Sequence, residues 1–277
     1  MKTAPGAFRF AAIFSAIFFL SYFSQAQLDI EKPKLGEKPD GPFRTYYRSG
    51  KLASELTYKN GKLHGPVRLY YESGVLKERS DFDQGLQDGP VRKYYENGQL
   101  SAELFYRSGQ EDGIHRNYYE NGKLKTEVNY RAGKKEGISQ LYYDNGQRSG
   151  EFVYVSGKED GPFKTYYRNG QVYMEGAYRD GKAEGPYRSY YENGQMQIEG
   201  SYVSGKENGP YRSYYKNGQV HAEGNHGDGK ENGPYKSYYE NGKLQAEGVF
   251  RNDKMDGPYR EYHENGRLKE EGTCVNG

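Results

Sequence analysis

The sequence predicts an all-β fold, an elongated single-layer antiparallel meander of about ten tandem β-hairpins. Three observations carry that expectation. A glycine recurs every 24 residues without an insertion, at Gly41, Gly65, Gly89, Gly113, Gly137, Gly161, Gly185, Gly209, Gly233 and Gly257, and such a fixed period marks a repeat architecture. Each copy sets aromatic, alternating runs between glycine-bearing turns, the pattern of paired strands. Only 34% of the residues are hydrophobic and 28% are charged, so there is too little apolar mass for a thick core, while 31 Tyr and 38 Gly supply strand-forming rings and turns.

The first segment is of another kind. Lys2 and Arg9 are its charges, Phe10 to Phe19 is an apolar run, and Ser24-Gln25-Ala26 has the small-x-small form of a cleavage site. This predicts a signal peptide over residues 1–26 and an exported chain (secreted, periplasmic or in the cell envelope) beginning at Gln27. The apolar run is shorter than the about 20 residues a membrane span needs, and membrane contact is not expected. Residues 27–40 carry Lys, Glu and Pro without periodicity and read as a flexible leader. Residues 41–277 hold the repeats.

Within a copy the order is strand, tight turn, strand, wider turn. A Gly, followed by Pro in eight of ten copies, opens the first strand, since Pro suits a strand's start. A Tyr pair follows, from Tyr46-Tyr47 to Tyr238-Tyr239, with Tyr262-His263 in the tenth copy. Ser-Gly or Asn-Gly comes next, and between alternating runs it predicts a two-residue type I′ hairpin turn. An aromatic such as Tyr202 and a second Gly such as Gly205 complete the unit. In the seventh copy this register sets Glu192 against Gln195, Tyr191 against Met196, Tyr190 against Gln197, Arg188 against Glu199 and Tyr187 against Gly200. It also pairs Arg44 with Glu55, Arg92 with Glu103, Arg116 with Glu127, Lys164 with Glu175, Arg212 with Glu223, Lys236 with Glu247 and Arg260 with Glu271. Such cross-strand pairs contribute roughly 0.2–1 kcal/mol each. A ring opposite a cross-strand glycine covers its bare backbone.

Alternation then sorts the side chains. Tyr187, Tyr191, Met196 and Tyr202 are expected on one aromatic face. Arg188, Tyr190, Glu192 and Glu199 are expected on a charged face with a tyrosine row through it. About 20 strands would span on the order of 95 Å. The fifth copy, with Gly137-Ile138-Ser139-Gln140 and Arg148, predicts a bend or a duplication seam. In the tenth copy Lys269, Glu270, Glu271 and Cys274 mark an edge strand, and edge-to-edge self-association there is the expectation.

Copies of the form Tyr190-Tyr191-Glu192-Asn193-Gly194-Gln195, then Glu199-Gly200-Ser201-Tyr202, Gly205 and Gly209-Pro210-Tyr211, resemble the MORN repeat variant of bacterial proteins, a group that often carries a YwqK-like antitoxin label. The resemblance spans Gly41 to Gly277. It implies an elongated single-layer β-sheet used as a scaffold, sometimes with lipid contact. The absence of Trp departs from many MORN repeats.

No constellation in the sequence points to catalysis. His64, His115, His221, His226 and His263 fall at five different repeat positions, without metal-ligand spacing. Cys274 stands where other copies have an aromatic. Each recurring acid faces a base, which makes a ladder rather than an acid–base pair. Asp-Gly and Glu-Gly turns lack the dense ligands of a calcium loop. The expectation is no enzyme, no metal and no cofactor. Charge excludes a nucleic-acid face: of 40 basic residues Lys2 and Arg9 lie in the signal segment, which leaves 38 against 38 acidic. The tyrosine row Tyr94, Tyr118, Tyr142, Tyr166, Tyr190, Tyr214 and Tyr238 is the candidate binding surface, since Tyr is enriched where proteins bind. A scaffold with a protein partner is expected, with a cell-envelope or carbohydrate-binding module and an antitoxin or immunity protein as the alternatives.

Overall fold

The computed structural model describes residues 40–277; the expected signal peptide, 1–26, and all but the last residue of the expected leader lie outside the described residues. These residues contain strands and turns without a helix. They form one antiparallel sheet of 27 strands in which each hairpin pairs with the next along the chain. Twenty are the long strands of ten hairpins, and seven are two-residue segments such as Lys206–Glu207 that follow the second turn. Those short segments account for the excess over the expected 20. In the fifth and sixth copies Lys134–Tyr142 and Lys158–Tyr166 run unbroken through this point.

The outer register is the expected one. Tyr187 faces Gly200, Arg188 faces Glu199 and Ser189 faces Ile198, and all the basic–acidic pairs derived from the sequence are cross-strand partners.

The two turns are the reverse of the expectation. At the Asn-Gly turn, the Gly194 N–H donates to the Tyr191 carbonyl and the Tyr191 N–H donates to the Gln195 carbonyl, both at 2.8 Å. Of Glu192, Asn193 and Gly194 only the glycine is left-handed, at φ 84°. This is a three-residue loop on a type I turn closed by a glycine bulge. The two-residue type I′ turn lies instead at the second turn. Ser204 and Gly205 have φ of 52° and 85°, and Val203 pairs with Lys206 across them.

The longer first loop moves the inner register by one. Tyr190 faces Met196, and a bulge at Gln197 restores the outer pairing. Met196 therefore shares the face of Tyr190, and not that of Tyr191 as the sequence reading had it.

The aromatic face forms what core there is. Val67, Val91, Phe163 and Tyr187 are buried on it, with Ser54, Ser80 and Ser189. The Tyr187 and Tyr202 ring centroids are 4.8 Å apart. The Tyr187 ring lies so close over Gly200 that a Cβ there would sit 2.9 Å from it. Burial and the Glu207 carboxylate, which accepts from its hydroxyl at 2.7 Å, hold the Tyr187 phenol far above its ordinary pKa. One layer can bury side chains in this way because rings such as Phe163, Tyr187, Tyr211 and Tyr259 lie close over the cross-strand glycines Gly176, Gly200, Gly224 and Gly272.

Candidate functional site

The other face carries the chemistry. Residues at alternate positions of the first strand, such as Pro186, Arg188 and Tyr190, share it with their cross-strand partners Ser201, Glu199 and Met196. Seven of the eight basic–acidic pairs close as ion pairs of 2.7–3.9 Å. A glutamate can also reach the base of the following repeat, as Glu55 does Arg68 at 3.6 Å and Glu247 does Arg260 at 3.6 Å. The result is a row of charge across the sheet that alternates except at Arg79 and Gln140.

The tyrosine row predicted from the sequence lies on this face, and the structure gives most of its hydroxyls a structural task. Tyr118, Tyr190, Tyr214 and Tyr238 donate to Glu103, Glu175, Glu199 and Glu223 of the preceding repeat at 2.7–3.1 Å. Tyr70 and Tyr262 follow the same rule. Tyr142 donates instead to Gln140 at 2.6 Å, and Arg148 hydrogen-bonds the Tyr166 hydroxyl. Among the described residues Tyr94 has no such acceptor, because Arg79 stands where the others have Glu. Two of these carboxylates are held below their usual range: in Glu223 the Tyr238 bond acts first and Arg212 next, in Glu175 Lys164 first and then Tyr190.

The second tyrosine of each pair makes another ladder. From Tyr47 to Tyr239, nine hydroxyls donate to the backbone carbonyl 23 residues on, at 2.5–2.8 Å. Each repeat is thus fastened to the next by side chain as well as by strand pairing.

Two departures on the polar face go beyond the sequence reading, which treats Ile138 only as part of a bend or seam. In the fourth and fifth copies the usual Pro is Ile114 and Ile138, 49% and 56% exposed, and Phe105 in the adjoining copy is 36% exposed. They lie on neighbouring hairpins of one face, with Pro90 opposite Phe105 and Val153 opposite Ile138. The signal was present, since these are the two copies whose glycine is not followed by Pro. The other departure is Arg79, at a position held by Glu in the other nine copies.

The histidines are dispersed. His115 is buried in an aromatic position, its ring 4.5 Å from that of Tyr130, with Nε2 2.9 Å from the Phe105 carbonyl oxygen. His221 and His226 lie against Tyr215 and Tyr211. Among the described residues no three His, Cys, Asp or Glu side chains gather as a metal site would require.

Comparison with known families decides the family. The MORN repeat variant matches ten times, at residues 39–60, 63–84, 87–108, 111–132, 135–155, 159–180, 183–204, 207–227, 231–252 and 255–276. The chain belongs to the MORN repeat variant family. Each match of this MORN chain runs from just before one repeat glycine to the next type I′ turn, so the family unit and the structural hairpin coincide. No curated protein matches it. Among solved structures it is similar to TarM, at 18% identity over 35% of this chain and 19% of that one, with a TM-score of 0.24. It is also similar to the Photorhabdus luminescens Tc holotoxin pore, at 13% identity over 84% of this chain and 16% of that one, with a TM-score of 0.19. The chain spans less than a fifth of either, and nothing is built on these likenesses.

Proposed function

We propose that this MORN chain is an exported, non-catalytic scaffold that binds another protein through the polar face of its sheet, centred on the third to fifth repeats. The observation that carries the reading is the exposed apolar stretch of Phe105 beside the Ile114 strand, with Ile138 one strand further on past Asn129, on a face that elsewhere carries paired charges, prolines and hydrogen-bonded tyrosines. Solvent-facing apolar groups that adjoin one another mark interaction sites, and a protein interface has an apolar centre inside a polar rim. The charged ladder and the tyrosine row supply that rim. A sheet braced by two hydroxyl ladders offers such a surface already ordered, so docking costs little conformational entropy. Export follows from the N-terminal pattern of Lys2, Arg9, Phe10 to Phe19 and Ser24-Gln25-Ala26.

The test is capture of partners from an envelope extract by the native chain and by an Ile114→Asp/Ile138→Asp variant. Both sites are exposed, so the variant is expected to keep its circular dichroism and its melting temperature and to lose the captured protein. An undiminished partner on the variant, or a captured polysaccharide in place of a protein, would contradict the reading. Mass spectrometry of exported protein addresses the compartment: the chain is expected to begin at Gln27, and an intact Met1 in the envelope fraction would oppose export.

A further inference from the structure

The alternating charge row breaks at two places: at Gln140, which stands between Glu127 and Glu151 where other copies have a base, and at Arg79, where like charges meet. Along the polar face it runs Arg44, Glu55, then Arg68, Arg79, Arg92, then Glu103, Arg116, Glu127. Arg68 and Arg79 are cross-strand partners, and so are Arg79 and Arg92. Three guanidinium groups therefore rise from adjacent strands on one face, with strands about 4.8 Å apart. Like charges directly opposite one another are destabilising in a sheet, and here two such pairs adjoin.

The surrounding carboxylates do not relieve the centre of the run. Glu55 lies 3.6 Å from Arg68 and Glu103 lies 3.2 Å from Arg92, each on the outer side. Glu78, next to Arg79 in the chain, points to the opposite face, where it pairs with Lys93 at 3.7 Å. Asp81 is on the same face two residues along the strand, beside Gly89. Among the described residues no carboxylate lies within ion-pair distance of the exposed Arg79. Tyr94 adds a donor. By the rule that links six other tyrosines of its row to the residue 15 positions earlier, its hydroxyl is directed to position 79, where an arginine offers no acceptor.

A cluster of donors without an acceptor is what an oxyanion satisfies. Guanidinium groups bind phosphate through paired, charge-assisted hydrogen bonds, and a tetrahedral anion has enough oxygens for several at once. We propose that Arg68, Arg79 and Arg92, with the Tyr94 hydroxyl, form a binding site for a phosphate-class oxyanion, either free or as a small monoester. The site is separate from the apolar cluster and stands independently of the protein-docking reading.

Isothermal titration of the full chain with inorganic phosphate and with glycerol phosphate, at constant ionic strength against sodium chloride, tests it. The informative variant is Arg79→Glu, which restores the charge alternation and gives Tyr94 its carboxylate. Without ligand this variant is expected to melt about 2–4 °C higher than the native chain, so weaker binding by it could not be ascribed to unfolding. The native chain is expected to bind at least one of the two ligands in preference to chloride, and Arg79→Glu to bind it at least about tenfold more weakly. Tighter binding of glycerol phosphate would assign the site to a monoester, and equal or tighter binding of inorganic phosphate to the free anion. Binding of neither above chloride, or unchanged affinity in Arg79→Glu, would overturn the proposal.

Discussion

Asn193 shows how much one turn residue does. Its Oδ1 accepts from the Gln195 N–H at 3.0 Å, and its amide donates toward the Lys216 carbonyl of the next repeat. Asn193→Ala is expected to cost about 1 kcal/mol in chemical denaturation, at the scale of one net hydrogen bond. Gly194→Ala is expected to cost roughly 1–2 kcal/mol, because φ of 84° is left-handed. Glu199→Ala, which removes an exposed ion pair, should cost about 0–1 kcal/mol. The second turn offers a gain: Ala132 has φ of 49°, and Ala132→Asn should raise the denaturation midpoint because Asn tolerates that conformation. The Asn-Gly dipeptide was legible as a turn but its type was not. Both turns contain x-Gly in every repeat but the ninth, whose second turn is Asn252-Asp253, and the bulge at Gln197 that decides between them is a backbone feature without a residue signature. Arg79, by contrast, was legible in the repeat alignment as the one copy without Glu.

At the scale of the hairpin, the two tyrosines of a pair do different work. Tyr191 donates to the Tyr214 backbone carbonyl at 2.7 Å, whereas Tyr190 donates to the already paired Glu175 at 2.8 Å. Tyr191→Phe is therefore expected to cost about 0.5–1.5 kcal/mol in urea melts, and Tyr190→Phe less, since a solvated carboxylate keeps other partners. The pH dependence has two limbs. Burial pushes the phenols of Tyr130, Tyr178 and Tyr202 up to about 12. Their contribution is complete below the unfolded value of about 10 and is lost as pH rises toward 12, so alkaline unfolding should accompany tyrosinate absorbance in that window. The carboxyls of Glu175 and Glu223 are lowered, so their contribution is present above the ordinary value of 4.5 and is lost as pH falls below it. A melting temperature unchanged between pH 10 and 12 would contradict the alkaline limb. The aromatic and charged faces were legible because side chains alternate along a strand. The hydroxyl ladders were not, because they join residues 15 and 23 apart in neighbouring repeats and depend on the inner register.

Across the whole molecule, each hairpin pairs only with its neighbours, the arrangement in which stability is a sum of repeat and interface terms. The polar face is continuous for the same reason, so the apolar cluster and the arginine run are local departures on a regular background. Their place on one face rests on the chain being a single open layer rather than two sheets packed together. Small-angle scattering from the purified chain tests that most directly. The account predicts an elongated particle with a maximum dimension on the order of 95 Å and a radius of gyration well above the roughly 19 Å of a compact domain of this length. A radius of gyration near the compact value would mean that the two faces are not both open to solvent, and would contradict it.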